Sequence, residues 1–235
     1  MPYVPSKKTD EKSTDREIID AAVEKAAREA SKEITNNLSV IKIYREVFEN
    51  VLYAISKSSF TNFYYRTSQG PVIKQNTQAF DLGRAIAEVG ASYDYEGAYL
   101  GELNYAITRF IQRVPQIKVE NGEWKQELRY WLYAATIEAL TDTADGKRNF
   151  NTGISGVFED IKDEYKRRVN TAYEAEQILK SGDCYDTPYY TKVIEVADEN
   201  GKVVGHMEVM LKRSEETLHK DSLDMQIVVM KKSKK

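Results

Sequence analysis

The feature that most constrains the fold is the spacing of apolar residues, which recur three or four positions apart in six segments. The clearest segment covers residues 153–180. Its apolar stripe consists of Ile154, Val157, Phe158, Ile161, Tyr165, Val169, Ala172 and Leu179. A 3.6-residue period is the pattern of an amphipathic α-helix whose apolar face packs against other helices. Six such segments predict a mainly helical protein.

The boundaries of these helices follow from capping and breaking residues. The expected helices cover residues 14–34, 38–55, 77–90, 98–114, 123–140 and 153–180. Thr14 and Glu17 form a capping-box pattern at the first start. Gly90 is expected to end the third helix in a left-handed conformation, and Pro115 to stop the fourth. Residues 57–76 are predicted to form a loop or a short hairpin.

The texture of the chain changes to strands near its C-terminal end. Residues 190–197 and 202–212 flank Asn200-Gly201, a strong hairpin signal, and residues 224–232 have the composition of a third strand. The predicted fold class is therefore mainly α within α+β: a bundle of about six helices with a small C-terminal antiparallel β-sheet or hairpin.

Three regions are expected along the chain. Residues 1–13 are an irregular leader, residues 14–186 form the helical bundle domain, and residues 187–232 form a β appendage packed on the bundle.

Composition excludes several classes of protein. The formal net charge of −3 gives no global attraction to nucleic acid or anionic lipid. No apolar run is long enough for a membrane span, and the N-terminal residues lack the apolar core of a signal peptide. Cys184 is the single cysteine, which rules out an internal disulfide and fits a cytoplasmic location.

Tyrosine is unusually frequent, with 16 tyrosines against 7 phenylalanines. This ratio favours half-buried aromatic positions at subunit or partner contacts. The tyrosine-rich connector at residues 92–99 is the expected contact surface, and the chain is expected to form a homo-oligomer.

Two blocks and the first four residues resemble a family of short uncharacterised proteins from bacteria, archaea and their phages. That family begins MPY(I/V), carries a GELNY(A/V)IT helix and has a later E-x-x-K-x-E-aromatic-x-R-R block that ends near G-D-x-Y. The matching residues are Met1, Pro2, Tyr3 and Val4, residues 101–109, and Gly156, Glu159, Lys162, Glu164, Tyr165, Arg167, Arg168, Tyr173, Glu174, Gly182, Asp183 and Tyr185. The resemblance carries no established activity; the family's occurrence in phages suggests an accessory role in a mobile element.

Candidate contact residues lie on the two helices that carry these blocks. They are Glu102, Asn104, Tyr105, Arg109, Glu159, Lys162, Glu164, Arg167 and Arg168. The spacing of Glu102, Tyr105 and Arg109 places them on one helix face, where they could bind a polar ligand or a partner's charges. Local pairing and capping by the same side chains is the alternative explanation.

A metal site is the second hypothesis. Glu159 and Asp163, like Asp160 and Glu164, stand four residues apart on one helix. With Glu102 from a neighbouring helix, Glu159, Asp163 and Glu164 could bind Mg²⁺ and hydrolyse nucleotides, as in all-helical nucleotide pyrophosphohydrolases. The first acidic motif of those enzymes is absent from this sequence, which favours solvated charges instead.

The sequence offers no other recognisable chemistry. His206 and His219 stand apart from any nucleophile, and no phosphate-binding or nucleophile-elbow motif is present. Lys162, Lys166, Arg167 and Arg168 could contact nucleic acid, but the interleaved acids and the net charge disfavour this. The sequence therefore predicts a non-enzymatic binding protein that contacts a second copy of itself and an unknown protein or small ligand, with no cofactor. The alternatives are a Mg²⁺-dependent nucleotide hydrolase and, less favoured, a nucleic-acid-binding protein.

Overall fold

A computed structural model describes residues 15–58, 77–93, 97–145, 152–174, 177, 189–198 and 201–212. Within these residues the protein is mostly helical, which confirms the prediction of a helical bundle. The six α-helices are α1 (Asp15–Glu33), α2 (Asn37–Ser56), α3 (Thr77–Ala91), α4 (Tyr99–Glu120), α5 (Tyr130–Ala144) and α6 (Thr152–Tyr165). None of the described helices is long and apolar enough to cross a membrane.

Helix α4 does not stop at Pro115, as the sequence suggested, but continues to Glu120. A proline inside a helix removes one backbone hydrogen bond and costs about 3 kcal/mol. Val114 and Ile117 are almost completely buried on either side of Pro115, and burying one such side chain contributes about 1.5–3 kcal/mol. Packing on both sides of the proline therefore outweighs the lost bond.

Helix α5 begins at Tyr130 and not near residue 123, so the prediction of one helix over residues 123–140 was wrong at its start. Gly122 has φ of +73° and ends α4 in the left-handed conformation. The N–H groups of Glu123 and Trp124 then donate to the Lys118 carbonyl at 2.9 and 3.1 Å. This turn removes Trp124 from the helix and leaves residues 121–129 irregular.

The helix predicted over residues 153–180 is interrupted. Helix α6 ends at Tyr165, a π-helical turn covers Lys166–Asn170, and helical structure resumes at residues 171–174. A π turn inserts extra residues into each hydrogen-bonded ring, so the following residues face a new direction. None of the described side chains from 166 to 174 is buried, and the apolar stripe therefore ends at Tyr165. Most of residues 175–188 lie outside the described residues.

Gly90 lies inside α3 and does not terminate it, contrary to expectation. A Cβ atom at Gly90 would lie 2.9 Å from the Cα and Cβ atoms of Tyr99. At Gly83, a Cβ would lie 2.5 Å from the Val51 carbonyl oxygen and 2.6 Å from the Ala54 Cβ. Both glycines therefore let α3 approach its neighbours closely.

The core lies between the six helices, each of which packs against at least two of the others. Helix α1 packs on α4 and α3, α2 packs on α3 and α5, and α6 packs on α5 and α4. Four buried aromatic rings occupy the centre. Tyr44 and Phe110 are 5.2 Å apart and Phe48 and Phe158 are 5.4 Å apart between ring centroids.

The contact pattern divides the chain into two compact units, residues 1–166 and residues 167–235. The second unit contains strands β1 (Tyr189–Ala197) and β2 (Val203–Lys212), which pair antiparallel from Tyr189 opposite Lys212. Gly201 has φ of +79° in the turn. The third predicted strand, residues 224–232, lies outside the described residues, and so does the loop or hairpin predicted over residues 57–76, apart from its first two residues.

Candidate interaction surface

The polar face of the GELNYAITRF helix contacts α1. The Arg16 Nε donates to the Tyr105 hydroxyl at 2.7 Å, and that hydroxyl donates to the Asp20 carboxylate at 2.9 Å. The Arg109 Nε also reaches Asp20 at 3.4 Å. Tyr105 and Arg109, two of the predicted contact residues, are therefore engaged within the bundle.

The same face continues with Arg113, which the sequence did not single out. Its guanidinium contacts both carboxylate oxygens of Glu24, at 2.6 and 3.1 Å, and both of Glu120, at 2.5 and 3.0 Å. The bidentate hydrogen bond from Arg113 lowers the pKa of Glu24 below its ordinary value. The pairs Arg16–Tyr105, Asp20–Arg109 and Glu24–Arg113 all have a sequence separation of 89. A constant separation means that α1 and α4 run parallel, and this set of contacts is called the α1–α4 ladder below.

Glu102 lies in the first turn of α4 and is only 5% exposed. Its Oε2 atom is buried without a hydrogen-bond partner. Burial raises the pKa of Glu102, the hydrogen bond from its own backbone N–H opposes the rise, and the nearby Asp15 carboxylate adds to it. Glu102 is a buried polar group of the bundle with one unpartnered oxygen, rather than a residue open to a partner.

Asn104 is half-buried, and its side-chain oxygen accepts from the Thr108 hydroxyl at 3.4 Å on the same helix. The Tyr93 hydroxyl donates to Asp15 at 2.9 Å, and Tyr99 is buried against α3. Tyr93 is half-buried, Tyr99 is buried and residues 94–96 lie outside the described residues, so the expectation that this connector forms the contact surface stays a prediction.

The α6 residues do not join Glu102. Lys162 pairs with Glu159 on its own helix at 2.5 Å, Asp163 is exposed and Glu164 is half-exposed. Among the described residues, no three His, Cys, Asp or Glu side chains are grouped so that they could hold a metal ion. The four proposed Mg²⁺ ligands, Glu102, Glu159, Asp163 and Glu164, are among these residues and form no such group.

Arg167 and Arg168 are exposed in the π-helical turn and belong to the second unit. That the nine residues form one contact surface stays a prediction.

A different surface presents aromatic side chains to solvent. The Trp124 and Trp131 rings stand edge to face, with centroids 5.5 Å apart and planes at 85°. Both are half-buried, and Tyr130 between them in sequence is 70% exposed. Together with Arg129, these three residues are called the tryptophan surface below.

The tryptophan surface rests on a fixed support. Lys118 is only 3% exposed, and its Nζ donates to Glu123 at 2.6 Å. The Lys118 carbonyl accepts from the Trp124 N–H at 3.1 Å, so one residue anchors the turn through both its side chain and its backbone. The turn therefore holds Trp124 against Trp131 by backbone contacts and not by helix geometry.

Arg129 precedes α5 in an extended conformation, with φ of −117° and ψ of 139°. Its Nε is buried without a hydrogen-bond partner, and no described residue forms an ion pair with its guanidinium. A buried donor without an acceptor costs about 1–3 kcal/mol. Arg129 thus directly precedes Tyr130 and Trp131 in the chain and has no compensating anion among the described residues.

The predicted helix over residues 123–140 includes both Trp124 and Trp131, and that prediction missed this surface. The sequence did contain a signal for it. Asn121-Gly122 is a turn pair, and a turn there argues against a helix that starts at residue 123. Arg-Tyr-Trp at residues 129–131 also combines the three residue types most enriched in interface hot spots.

Comparison with known proteins identifies no relative: no family model, no curated protein and no solved structure matches this chain.

Proposed function

We propose that this chain is a non-enzymatic, cytoplasmic binding protein that assembles with a second copy of itself and contacts a further protein through the tryptophan surface. The resemblance to phage-borne proteins supports an origin in a mobile element. We further infer that the C-terminal strands form a small antiparallel sheet, because two strands alone are marginally stable in water.

One observation supports the binding function above the others. Tyr130 exposes 70% of its surface beside two half-buried tryptophans. Aromatic residues held rigidly at a surface lose little conformational entropy when a partner covers them, which is why they dominate binding energies. The turn at Lys118 holds Trp124 of this surface in that way.

Light scattering across a concentration series, combined with native mass spectrometry, tests the proposal. We expect a defined oligomer, and we expect Tyr130→Ala to leave its mass unchanged, because the tryptophan surface is assigned to the further protein. A strict monomer at every concentration would contradict self-association. An oligomer that dissociates in Tyr130→Ala but not in Tyr173→Ala, whose tyrosine is also exposed, at 37%, but lies in the second unit, would assign the tryptophan surface to the second copy instead.

A further inference from the structure

The unpaired guanidinium of Arg129 distinguishes it from the other described arginines of residues 15–145. Each of those contacts an acceptor: Arg16, Arg28, Arg45, Arg84, Arg109 and Arg113. An arginine carries five N–H donors in a planar fork that matches a carboxylate in two parallel hydrogen bonds. Among the described arginines of residues 15–145, Arg129 is the one without any hydrogen-bond or ion-pair partner.

The charged residues of the stretch 118–131 leave one positive charge uncompensated. Glu120 is paired with Arg113 and Glu123 with Lys118, and Lys125 and Glu127, both exposed, balance each other in number. The tryptophan surface therefore combines a single excess cation with three aromatic rings. This combination is complementary to one carboxylate placed next to an apolar or aromatic group.

We propose that the tryptophan surface docks a peptide segment of another protein that presents an aspartate or glutamate next to an apolar side chain. The carboxylate binds the Arg129 guanidinium in a bidentate pair, and the apolar side chain packs against Trp124, Tyr130 and Trp131. This inference rests on the proposed binding function and adds the chemistry of the partner.

Nucleic acid fits this surface less well than an acidic peptide. A phosphodiester backbone presents regularly spaced negative charges and needs several cations along its path. Glu123 and Glu127 lie within the same stretch as Arg129 and would repel a second phosphate. A single carboxylate meets Arg129 without that repulsion.

Selection from a random twelve-residue peptide display library tests the proposal on the full-length protein. We expect the selected peptides to be enriched in Asp or Glu next to aromatic or aliphatic residues. The chain contains two tryptophans, and both lie in this surface, so their fluorescence reports binding directly. Arg129→Gln should weaken the selected peptides about tenfold or more, as expected for a charged hydrogen bond. Replacing the acid of a peptide by its amide should have a similar effect.

Arg84→Gln is the matched control. It removes the same charge from an exposed arginine on α3 that is already near Asp81 and Glu88, and peptide binding should not change. Peptides without acidic enrichment that still lose binding in Tyr130→Ala would overturn the acidic partner and keep the binding function. No surface-dependent enrichment would overturn both. Tighter Arg129-dependent binding of a single-stranded thymidine 20-mer than of any selected peptide would overturn the choice of peptide.

Discussion

Glu102 illustrates how a single side chain can lower the stability of the helix that carries it. Its carboxylate is buried near Asp15, with one oxygen unpartnered, and the pKa is raised above the ordinary value mainly because burial disfavours the charged form. A group whose pKa is higher in the folded state binds protons more tightly there, so it favours folding most at acidic pH. This contribution is complete below about pH 4, near the unfolded-state pKa, and is lost as the pH rises through the folded-state value.

Replacing the carboxylate by an amide tests this account. We expect Glu102→Gln to raise the free energy of unfolding at pH 8 by about 1 kcal/mol, because the amide keeps the acceptor for the backbone N–H and removes the buried charge. At pH 4 the variant and the parent should differ little. Urea unfolding of both proteins across this pH range measures the difference between their free energies of unfolding. The titration of other groups affects both proteins equally and cancels in that difference.

The opposite sign at pH 8 would show that the negative charge stabilises the N-terminal turn of α4 more than its burial costs. Glu24 provides a comparison in the same bundle, since the Arg113 contact lowers its pKa. Its contribution to stability is present above the unfolded-state pKa and is lost as the pH falls through the lowered value.

At the scale of elements, two glycines determine how closely α3 approaches its neighbours. The backbone around Gly83 leaves no room for a Cβ atom, because the nearest obstacles are the Val51 carbonyl and the Ala54 side chain on α2. A backbone carbonyl cannot rotate away, as the end of a flexible side chain could. The packing of α2 on α3 therefore depends on a missing methyl group.

We expect Gly83→Ala to lower the free energy of unfolding by about 1–3 kcal/mol, the usual cost of overpacking a close contact. Gly101→Ala and Gly156→Ala are matched controls, since both glycines lie in helices and a Cβ there would meet nothing within 4 Å. They should raise stability by about 0.5–1 kcal/mol, because alanine favours helix over glycine. Thermal unfolding compares all three; a stabilised Gly83→Ala would show that α2 and α3 can separate without loss.

Helix existence could be predicted from the sequence because each helix carries its own apolar stripe. Helix boundaries could not always be predicted, because they depend on contacts with distant residues. Pro115 is tolerated since Val114 and Ile117 are buried by other helices, and Gly90 lies within α3 because Tyr99 packs against it. Local propensity alone contains neither fact.

The candidate site was harder to predict than the fold. The spacing of Tyr105 and Arg109 was recognised, but the residues that engage them are 85 and 89 positions earlier in the chain. The tryptophan surface depends on a turn whose key acceptor is the Lys118 carbonyl. The lack of an acceptor for Arg129 is a property of the folded chain that no local pattern reveals.

At the scale of the whole molecule, the described core belongs to one of the two units. The described buried hydrophobic residues run from Ile19 to Tyr165, all within residues 1–166. A unit that contains its own core is expected to fold without the rest of the chain.

A fragment of residues 1–166 should therefore unfold cooperatively, with a midpoint within a few degrees of the full chain. Circular dichroism during heating measures this. A fragment of residues 1–145 is the control, because it lacks α6 and with it Phe158 and Ile161, both buried. It should lose the cooperative transition. Dye binding typical of a molten globule by the longer fragment would show that residues 167–235 are needed for a fixed core.

The α1–α4 ladder also has a consequence for the accuracy of assembly. Parallel helices can slide past each other by one turn, a shift of four residues, and still bury a similar apolar stripe. In this chain, a slip in one direction places Arg16 opposite Arg109, and a slip in the other places Arg28 opposite Arg113. Both errors bring two positive charges together and keep a single opposite-charge pair, Asp20 with Arg113 or Glu24 with Arg109. The observed alignment has two opposite-charge pairs, Asp20 with Arg109 and Glu24 with Arg113, and no repulsive one. The order of charges along α1 thus makes both shifted alignments less favourable than the observed one and disfavours misaligned helix pairs during folding.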